Sequence, residues 1–267
     1  MKSETKTILI TGSSSGIGFA LAEYFGKKGH AVFGLSRKNI ESPYFKTIPT
    51  DITDNKQVQL AVEEILKTED KIDVLINNAG MGMVGAVEDS TKEDIEKLFN
   101  LNVVGAVQTM AAVMPTMREQ KFGKIINVSS IGSEMGLPFR GFYSASKAAL
   151  DKVTEAMRYE VYQWNVEVCS LHLGDIKTKI AENRVQVKVS ESYQKVFDKT
   201  YAVMNSHVDD GTAPYEVAVF IEKLLAKKAW KAHYYFGKFG QKIAVPLKWI
   251  LPQSIFENLM KKYNKLD

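Results

Sequence analysis

The chain has 267 residues, 45% of them hydrophobic and 25% charged, with 35 Lys+Arg against 31 Asp+Glu for a net charge of +4. Such values exclude a disordered chain, a collagen-like repeat and a supercharged nucleic-acid arm. A single cysteine, Cys169, excludes a disulfide framework and a cysteine-rich zinc site. The polar start and the lack of an apolar run near the roughly 18 residues that span a bilayer predict a cytoplasmic protein.

Strand-like and helix-like segments alternate from the start. Residues 7–11 are a β-branched run and predict the first strand. Residues 16–28 carry Ile17, Ala20, Leu21, Tyr24 and Phe25 at helical spacing, and Gly29 ends the helix. Residues 31–35 and, more weakly, 45–49 predict two further strands, 55–67 a second amphipathic helix, and 72–77 a fourth strand. Residues 91–119 predict a long helix, broken in texture at 102–105. A fifth strand follows at 123–129, another long helix at 142–164 and a sixth strand at 166–173. The rhythm then fails. Residues 177–211 are polar with scattered Tyr193, Phe197, Tyr201 and Met204, which predicts a substrate lid. Residues 214–228 return to helix, and 226–267 form a basic aromatic segment with nine Lys and two acids, a local charge of 9 − 2 = +7.

Strands that are apolar almost throughout, with helices between them, predict an α/β fold. The expected form is a doubly wound, Rossmann-type parallel sheet of about seven strands with helices on both faces. No repeat, low-complexity stretch or linker divides the chain, so residues 1–267 are expected to form one domain.

The first strand runs into Thr11-Gly12-Ser13-Ser14-Ser15-Gly16-Ile17-Gly18 and then into a helix. Gly12 suits the sharp turn, Gly16 a close approach of backbone to phosphate, and Gly18 the packing of helix on sheet. The helix N-terminus offers free N–H groups and a positive dipole end to a pyrophosphate. The spacing is Gly-x3-Gly-x-Gly, not GxGxxG, so an ordinary Gly/Ser turn is the competing reading. The second strand ends in Arg37 and Lys38, where an NAD-binding domain usually places an acid. A guanidinium there suits a 2′-phosphate, which predicts NADP(H).

Tyr143 and Lys147 are four residues apart and share a helix face. A nearby ammonium favours the phenolate and brings tyrosine toward acid–base work at neutral pH. Ser130, at the end of the fifth strand, can hold a carbonyl oxygen. With TGSSSGIG at 11–18, Asn77-Asn78-Ala79-Gly80, Ser130 and Tyr143-x3-Lys147 in this order, the sequence resembles the short-chain dehydrogenase/reductase (SDR) family over about residues 5–180. The resemblance implies hydride transfer between a nicotinamide and a carbonyl or alcohol carbon. It implies Tyr143 as general acid/base, Lys147 on the nicotinamide ribose, Ser130 on the substrate oxygen and Asn102 holding a water that relays protons. It further implies cofactor contacts at Gly12, Ser13, Ser14, Ser15, Gly16, Ile17, Gly18, Arg37, Asp51, Ile52, Asn78, Ala79, Gly80, Gly174, Ile176 and Thr178, with backbone groups of Asn77 along the same channel. Leu173 stands where the family often has proline, which predicts a less rigid turn before Gly174.

Residues 135–139 (MGLPF) are similar to the corresponding loop of hydroxysteroid and retinol dehydrogenases, which implies a lipophilic ketone or aldehyde. A 3-oxoacyl-thioester reductase of the same family and a non-catalytic nucleotide sensor are the alternatives. The family's habit implies a homodimer or homotetramer through helices 102–119 and 142–164, whose Met110, Val113, Met117, Leu150, Val153 and Met157 either serve an interface or, for most of them, equally face the sheet. The basic aromatic segment reads as a packed terminus, a pocket wall or a peripheral membrane contact. No nucleic-acid motif is present. His30, His207 and His233 show no metal-ligand spacing, and His172 and Cys169 read as core residues.

Overall fold

A computed structural model describes residues 5–178 and 184–266. In chain order the elements are β1 (Thr7–Thr11), α1 (Gly16–Lys27), β2 (Ala31–Ser36), β3 (Lys46–Pro49), α2 (Asn55–Leu66), β4 (Val74–Asn77), β5 (Met83–Val84), α3 (Lys92–Phe99), α4 (Ala106–Glu119), β6 (Gly123–Ser130), α5 (Gly141–Glu160), β7 (Val166–Leu173), β8 (Val185–Gln186), α6 (Glu191–Asp209), α7 (Pro214–Leu225), β9 (His233–Phe236), α8 (Phe239–Ile250) and α9 (Gln253–Tyr263). Seven strands form one sheet in the order β3-β2-β1-β4-β6-β7-β9, and every pair within it is parallel. β5 and β8 form a separate two-stranded piece.

Alternate residues of each strand face opposite helical layers, so the sheet separates two cores. Ile8, Ile10, Val74 and Ile76 pack with Leu21 and Phe25 of α1 and Val217 and Ile221 of α7. Leu9, Leu75 and Ile125 pack with Val58 and Ile65 of α2 and Met110 and Val113 of α4. Strand order reverses between β1 and β4, and a crevice opens there at the carboxyl ends of the strands, where such sheets bind nucleotides.

The structure refines or departs from sequence expectation in four places. The long helix expected at 91–119 is continuous but passes through a π-helical turn at Asn100–Gly105 between α3 and α4. Helix Lys92–Glu119 is long and apolar enough by composition to cross a membrane, contrary to the expectation that no run would be, yet half of its most apolar window is buried in the protein. Of the two readings for the apolar residues of the long helices, Met110, Val113 and Met117 take the sheet-facing one, and Leu150 is likewise buried. The polar excursion contains the 19-residue α6, and the basic segment supplies the seventh sheet strand, β9, and the helical hairpin α8–α9. Pro246 lies inside α8 and Pro252 caps α9, so the prolines shape two helices instead of preventing them.

Candidate active site

The crevice is stitched from short-range features. Thr11 is fully buried, and its Oγ1 accepts from the backbone N–H groups of Asn78 (3.0 Å) and Ala79 (2.9 Å), binding the end of β1 to the end of β4. Asn78 Nδ2 donates to Thr11 O at 3.0 Å. Gly12 adopts φ +71° and Gly16 φ +57°, a region that favours glycine. A Cβ on Gly18 would lie 2.3 Å from Gly12 O, so only glycine lets α1 start this close to the turn. Ser13 is buried, its Oγ packed against Gly34, so it can present backbone but not hydroxyl to a ligand, while Ser15 is exposed. Arg37 is exposed at the end of β2. Asp51 Oδ1 accepts from Thr53 N (3.0 Å) and Thr53 Oγ1 (2.8 Å), while Ile52 is buried against Gly105. Thr178 lies over Gly16, closing the loop from the far side. The open glycine turn, the free helix N-terminus and Arg37 suit a dinucleotide phosphate chain. The side chain of Asn77 instead turns inward, donating to Asn127 Oδ1 (2.9 Å) and Ala106 O (3.1 Å).

The turn after β7 keeps its shape without proline. Gly174 N donates to Phe236 O at 2.8 Å, Gln241 Nε2 donates to Asp175 Oδ2, and Asp175 N donates to Gln241 Oε1 at 3.3 Å. Strand β9 and helix α8 thus hold the turn that faces the crevice.

Asn102, Ser130, Tyr143 and Lys147 come together at this edge. The π turn aims Asn102 at the β4 end, where its Oδ1 accepts from Met81 N (2.9 Å) and its Nδ2 donates to Met81 O (3.0 Å) and Ser146 Oγ (3.1 Å). π turns in long helices often mark such sites. Lys147 Nζ donates to Val128 O at 2.8 Å. A Cβ on Gly80 would lie 3.1 Å from Asn102 Oδ1 and 3.3 Å from Lys147 Nζ, so Gly80 is the gap in which the two side chains converge. Ser130 Oγ accepts from Gly132 N at 3.0 Å, which occupies a lone pair and leaves its hydroxyl proton for the hydrogen bond it shares with Tyr143.

Burial decides the electrostatics. It lowers the Lys147 pKa to about 8 and raises that of Tyr143, against the Ser130 hydrogen bond and the charges of Arg140 and Arg184, which lower it. The cations that counter the burial of the phenol are therefore Arg140 and Arg184, where sequence pointed to Lys147 alone. A phenol held above its ordinary pKa stays protonated at neutral pH and can serve as an acid.

Tyr143 opens on a cavity of about 730 Å³ that is also lined by an apolar set, Leu137, Leu247, Phe256, Leu259 and Met260. The hairpin α8–α9 roofs it, and Thr200 Oγ1, donating to Asn264 O at 3.0 Å, ties α6 to the chain end. The outer side of the roof exposes Phe239, Trp249 and Ile250, each about three-quarters accessible (75%, 74% and 76%).

Behind Ser130 lies a polar chain that sequence spacing did not reveal. His172 is fully buried, its Nδ1 within 3.1 Å of Ser133 Oγ and 3.2 Å of Ser130 O. Its Nε2 is 2.9 Å from His233 Nδ1, and His233 Nε2 is 3.0 Å from Glu155 Oε1. Glu134, His172 and His233 have donor atoms within 4.8 Å of one another, although nothing in their sequence spacing suggests a cluster. Glu134 accepts from Tyr235 Oη at 2.7 Å, so these groups are largely spent on each other. Register explains the meeting: β7 and β9 pair with His172 opposite Tyr235 and Ser170 opposite His233.

A family model described as short chain dehydrogenase matches residues 6–188. The chain is 36% identical over 262 residues to a 3-ketodihydrosphingosine reductase of Bacteroides thetaiotaomicron, covering 97% of both chains. It is 31% identical to an NADPH-dependent 3-dehydrocapnine reductase of Ornithobacterium rhinotracheale, covering 93% of this chain and 91% of that one. A short-chain dehydrogenase from Burkholderia cenocepacia solved in complex with NADP superposes with a TM-score of 0.76 at 26% identity, covering 97% of this chain and 99% of that one.

Proposed function

The chain belongs to the short-chain dehydrogenase/reductase family and is an oxidoreductase, and from that premise we propose that it uses NADPH to reduce the keto group of a long-chain amphiphile. The observation that carries this reading is the meeting of Asn102, Ser130, Tyr143 and Lys147 at one end of a large cavity with an apolar wall. A small or wholly polar substrate would leave that wall unfilled, whereas an alkyl chain gains about 0.8 kcal/mol for each CH2 buried there. The two relatives named for reduction of a 3-keto or 3-dehydro compound, the exposed Arg37 in place of an acid, and the NADP-bound neighbour all support it.

Bound NADPH supplies the hydride. Tyr143, kept protonated by burial, gives its phenolic proton to the carbonyl oxygen as negative charge develops there. Ser130, its oxygen fixed by the Gly132 N–H, directs its hydroxyl proton to the same oxygen. Lys147 spends one proton on Val128 O and has two more for a ribose hydroxyl. Asn102 fixes the Met81 backbone at the edge of the crevice. The α8–α9 roof and the apolar wall exclude water from the reacting carbon.

The test is NADPH oxidation with 3-ketodihydrosphingosine, other long-chain 3-oxo amphiphiles, β-ketoacyl thioesters and small aldehydes, wild type beside Tyr143→Phe. Turnover of long-chain ketones is expected, lost by about 10²–10⁴-fold in the variant while NADPH still binds. Turnover confined to short aldehydes, or undiminished in Tyr143→Phe, would overturn the reading.

A further inference from the structure

Two arginines meet at the reacting end of the cavity. Arg140 stands at the start of α5, three residues before Tyr143. Arg184 enters from the opposite side, just before β8, its stem packed over Gly82 and its Nη1 donating to Asn205 Oδ1 at 2.7 Å. Both line the cavity that Tyr143 lines, and both act electrostatically on Tyr143.

Arg184 is held by Asn205 and by the Tyr201 side chain, whereas Arg140 has fewer partners. Among the described residues neither arginine is in an ion pair, and the Arg140 side chain makes no hydrogen bond. Its Nε is buried without a partner. Arg140 as a whole is partly buried, and a cation whose Nε is shut from water without a partner suits a site that receives a counter-charge. Among the described residues the cavity wall carries four cationic side chains, Arg140, Lys147, Arg184 and Lys238, against one carboxylate, Asp175, for 4 − 1 = +3. Asp175 is already engaged by Gln241. A planar guanidinium with several donors suits the oxygens of a carboxylate, sulfonate or phosphate. The cavity therefore combines cationic side chains, with Arg140 and Arg184 acting on Tyr143, and an apolar set at Leu247, Phe256, Leu259 and Met260.

We propose that Arg140 and Arg184 form an anion-binding subsite, and that the substrate is a long-chain ketone with an anionic head group close to its keto carbon. The inference rests on the reductase reading above and deepens it. The head group docks on the two guanidinium groups, the alkyl chain runs under the α8–α9 roof, and the carbonyl between them is thereby presented to Tyr143 and Ser130. Orientation is then set from both ends, so a ketone lacking the anion binds in several registers and reacts more slowly.

Two measurements test this on the NADP-loaded enzyme. The first needs no turnover: calorimetric titration with octane-1-sulfonate, octan-1-ol, octylamine and inorganic phosphate, below micellar concentrations. The sulfonate is expected to bind at least ~10-fold more tightly than the alcohol. The preference should collapse in Arg184→Gln and in Arg140→Gln, and partly return in Arg184→Lys. Dissociation constants for NADPH, measured on the same variants, should stay near the wild-type value, which separates this subsite from the cofactor site and reports that the variants are folded. The second measurement compares kcat/KM for long-chain 3-oxo compounds of one chain length bearing sulfonate, carboxylate, phosphate, hydroxyl or ammonium heads. One of the anionic heads should lead, and the lead should shrink mainly through KM in Arg184→Gln. Equal affinity for sulfonate and alcohol, tighter binding of octylamine, or a sulfonate preference that survives both substitutions would overturn the proposal. Inorganic phosphate displacing the sulfonate as well as the intact amphiphile does would mark a free-anion site and overturn it too. If no long-chain ketone of any head group turns over, the reductase reading fails, while the calorimetric preference still decides the subsite by itself.

Discussion

Replacing Asn102 by alanine separates two accounts of that residue. Family resemblance assigns it a water in a proton relay, and loss of that water alone would slow turnover and leave stability untouched. The structure gives its carboxamide a second task. Asn102 is 1% exposed, and both ends of the amide are in use: Oδ1 on Met81 N, Nδ2 on Met81 O and Ser146 Oγ, at 2.9, 3.0 and 3.1 Å. Each such bond contributes about 1 kcal/mol net, so Asn102→Ala should lose about 3 kcal/mol. For a chain of this size 1 kcal/mol moves the thermal midpoint by about 2–4 °C, so a drop of about 6–12 °C is expected in calorimetry or circular dichroism, together with loss of activity. Activity lost with a midpoint within about 2 °C of wild type would refute the clasp.

Arg37→Asp should weaken NADPH binding far more than NADH binding; equal loss for both in fluorescence titration would remove Arg37 from the cofactor site. Lys147, with its pKa lowered to about 8 by burial, is charged below that pH and neutral above it. The phenol of Tyr143 is shifted upward and keeps its proton across this range. The kcat/KM for NADPH in the reductive direction should therefore be flat below pH 7 and fall through pH 8 as Lys147 loses its charge, with Lys147→Arg moving the fall to higher pH; a profile flat to pH 9.5 would contradict this. Trp249 and Ile250 project from a helix that also carries the exposed Lys242, so the protein should sediment with anionic vesicles at low salt and less so as Trp249→Ser. No sedimentation of the wild type would leave the outer face of α8 as ordinary surface.

What was legible in the sequence was what short stretches determine. The Gly12–Gly18 turn between a β-branched strand and an amphipathic helix, and the i, i+4 pair Tyr143 and Lys147, depend on neighbours in the chain, and both stand where their spacing put them. The lid illustrates a missed local signal: Tyr193, Phe197, Tyr201 and Met204 recur at intervals of four, four and three, a helical stripe hidden by the polar residues between them. β9 is four residues of mixed polarity (HYYF) in a lysine-rich stretch, and it becomes a strand because β7 offers an unpaired edge. The meetings of Arg140 with Arg184, of His172 with His233 and of His233 with Glu155 are set by register and helix packing across 44, 61 and 78 positions. No local pattern encodes such pairs.

The order in which the cavity is built has a consequence for the nascent polypeptide. The glycine turn, the β4 end and the pair Tyr143 and Lys147 all lie before residue 150, whereas β9, the strut Gln241 and the α8–α9 roof belong to the last 40 residues. During synthesis the nucleotide crevice is complete in sequence well before the walls that choose a ketone leave the ribosome. A chain arrested near α7 would carry the acid–base groups on an uncovered sheet edge open to water. Insertions and exchanges after residue 230 can redraw what the enzyme accepts while the glycine turn and the β4 end stay as they are, provided that β9 and Gln241 still hold the Gly174 turn.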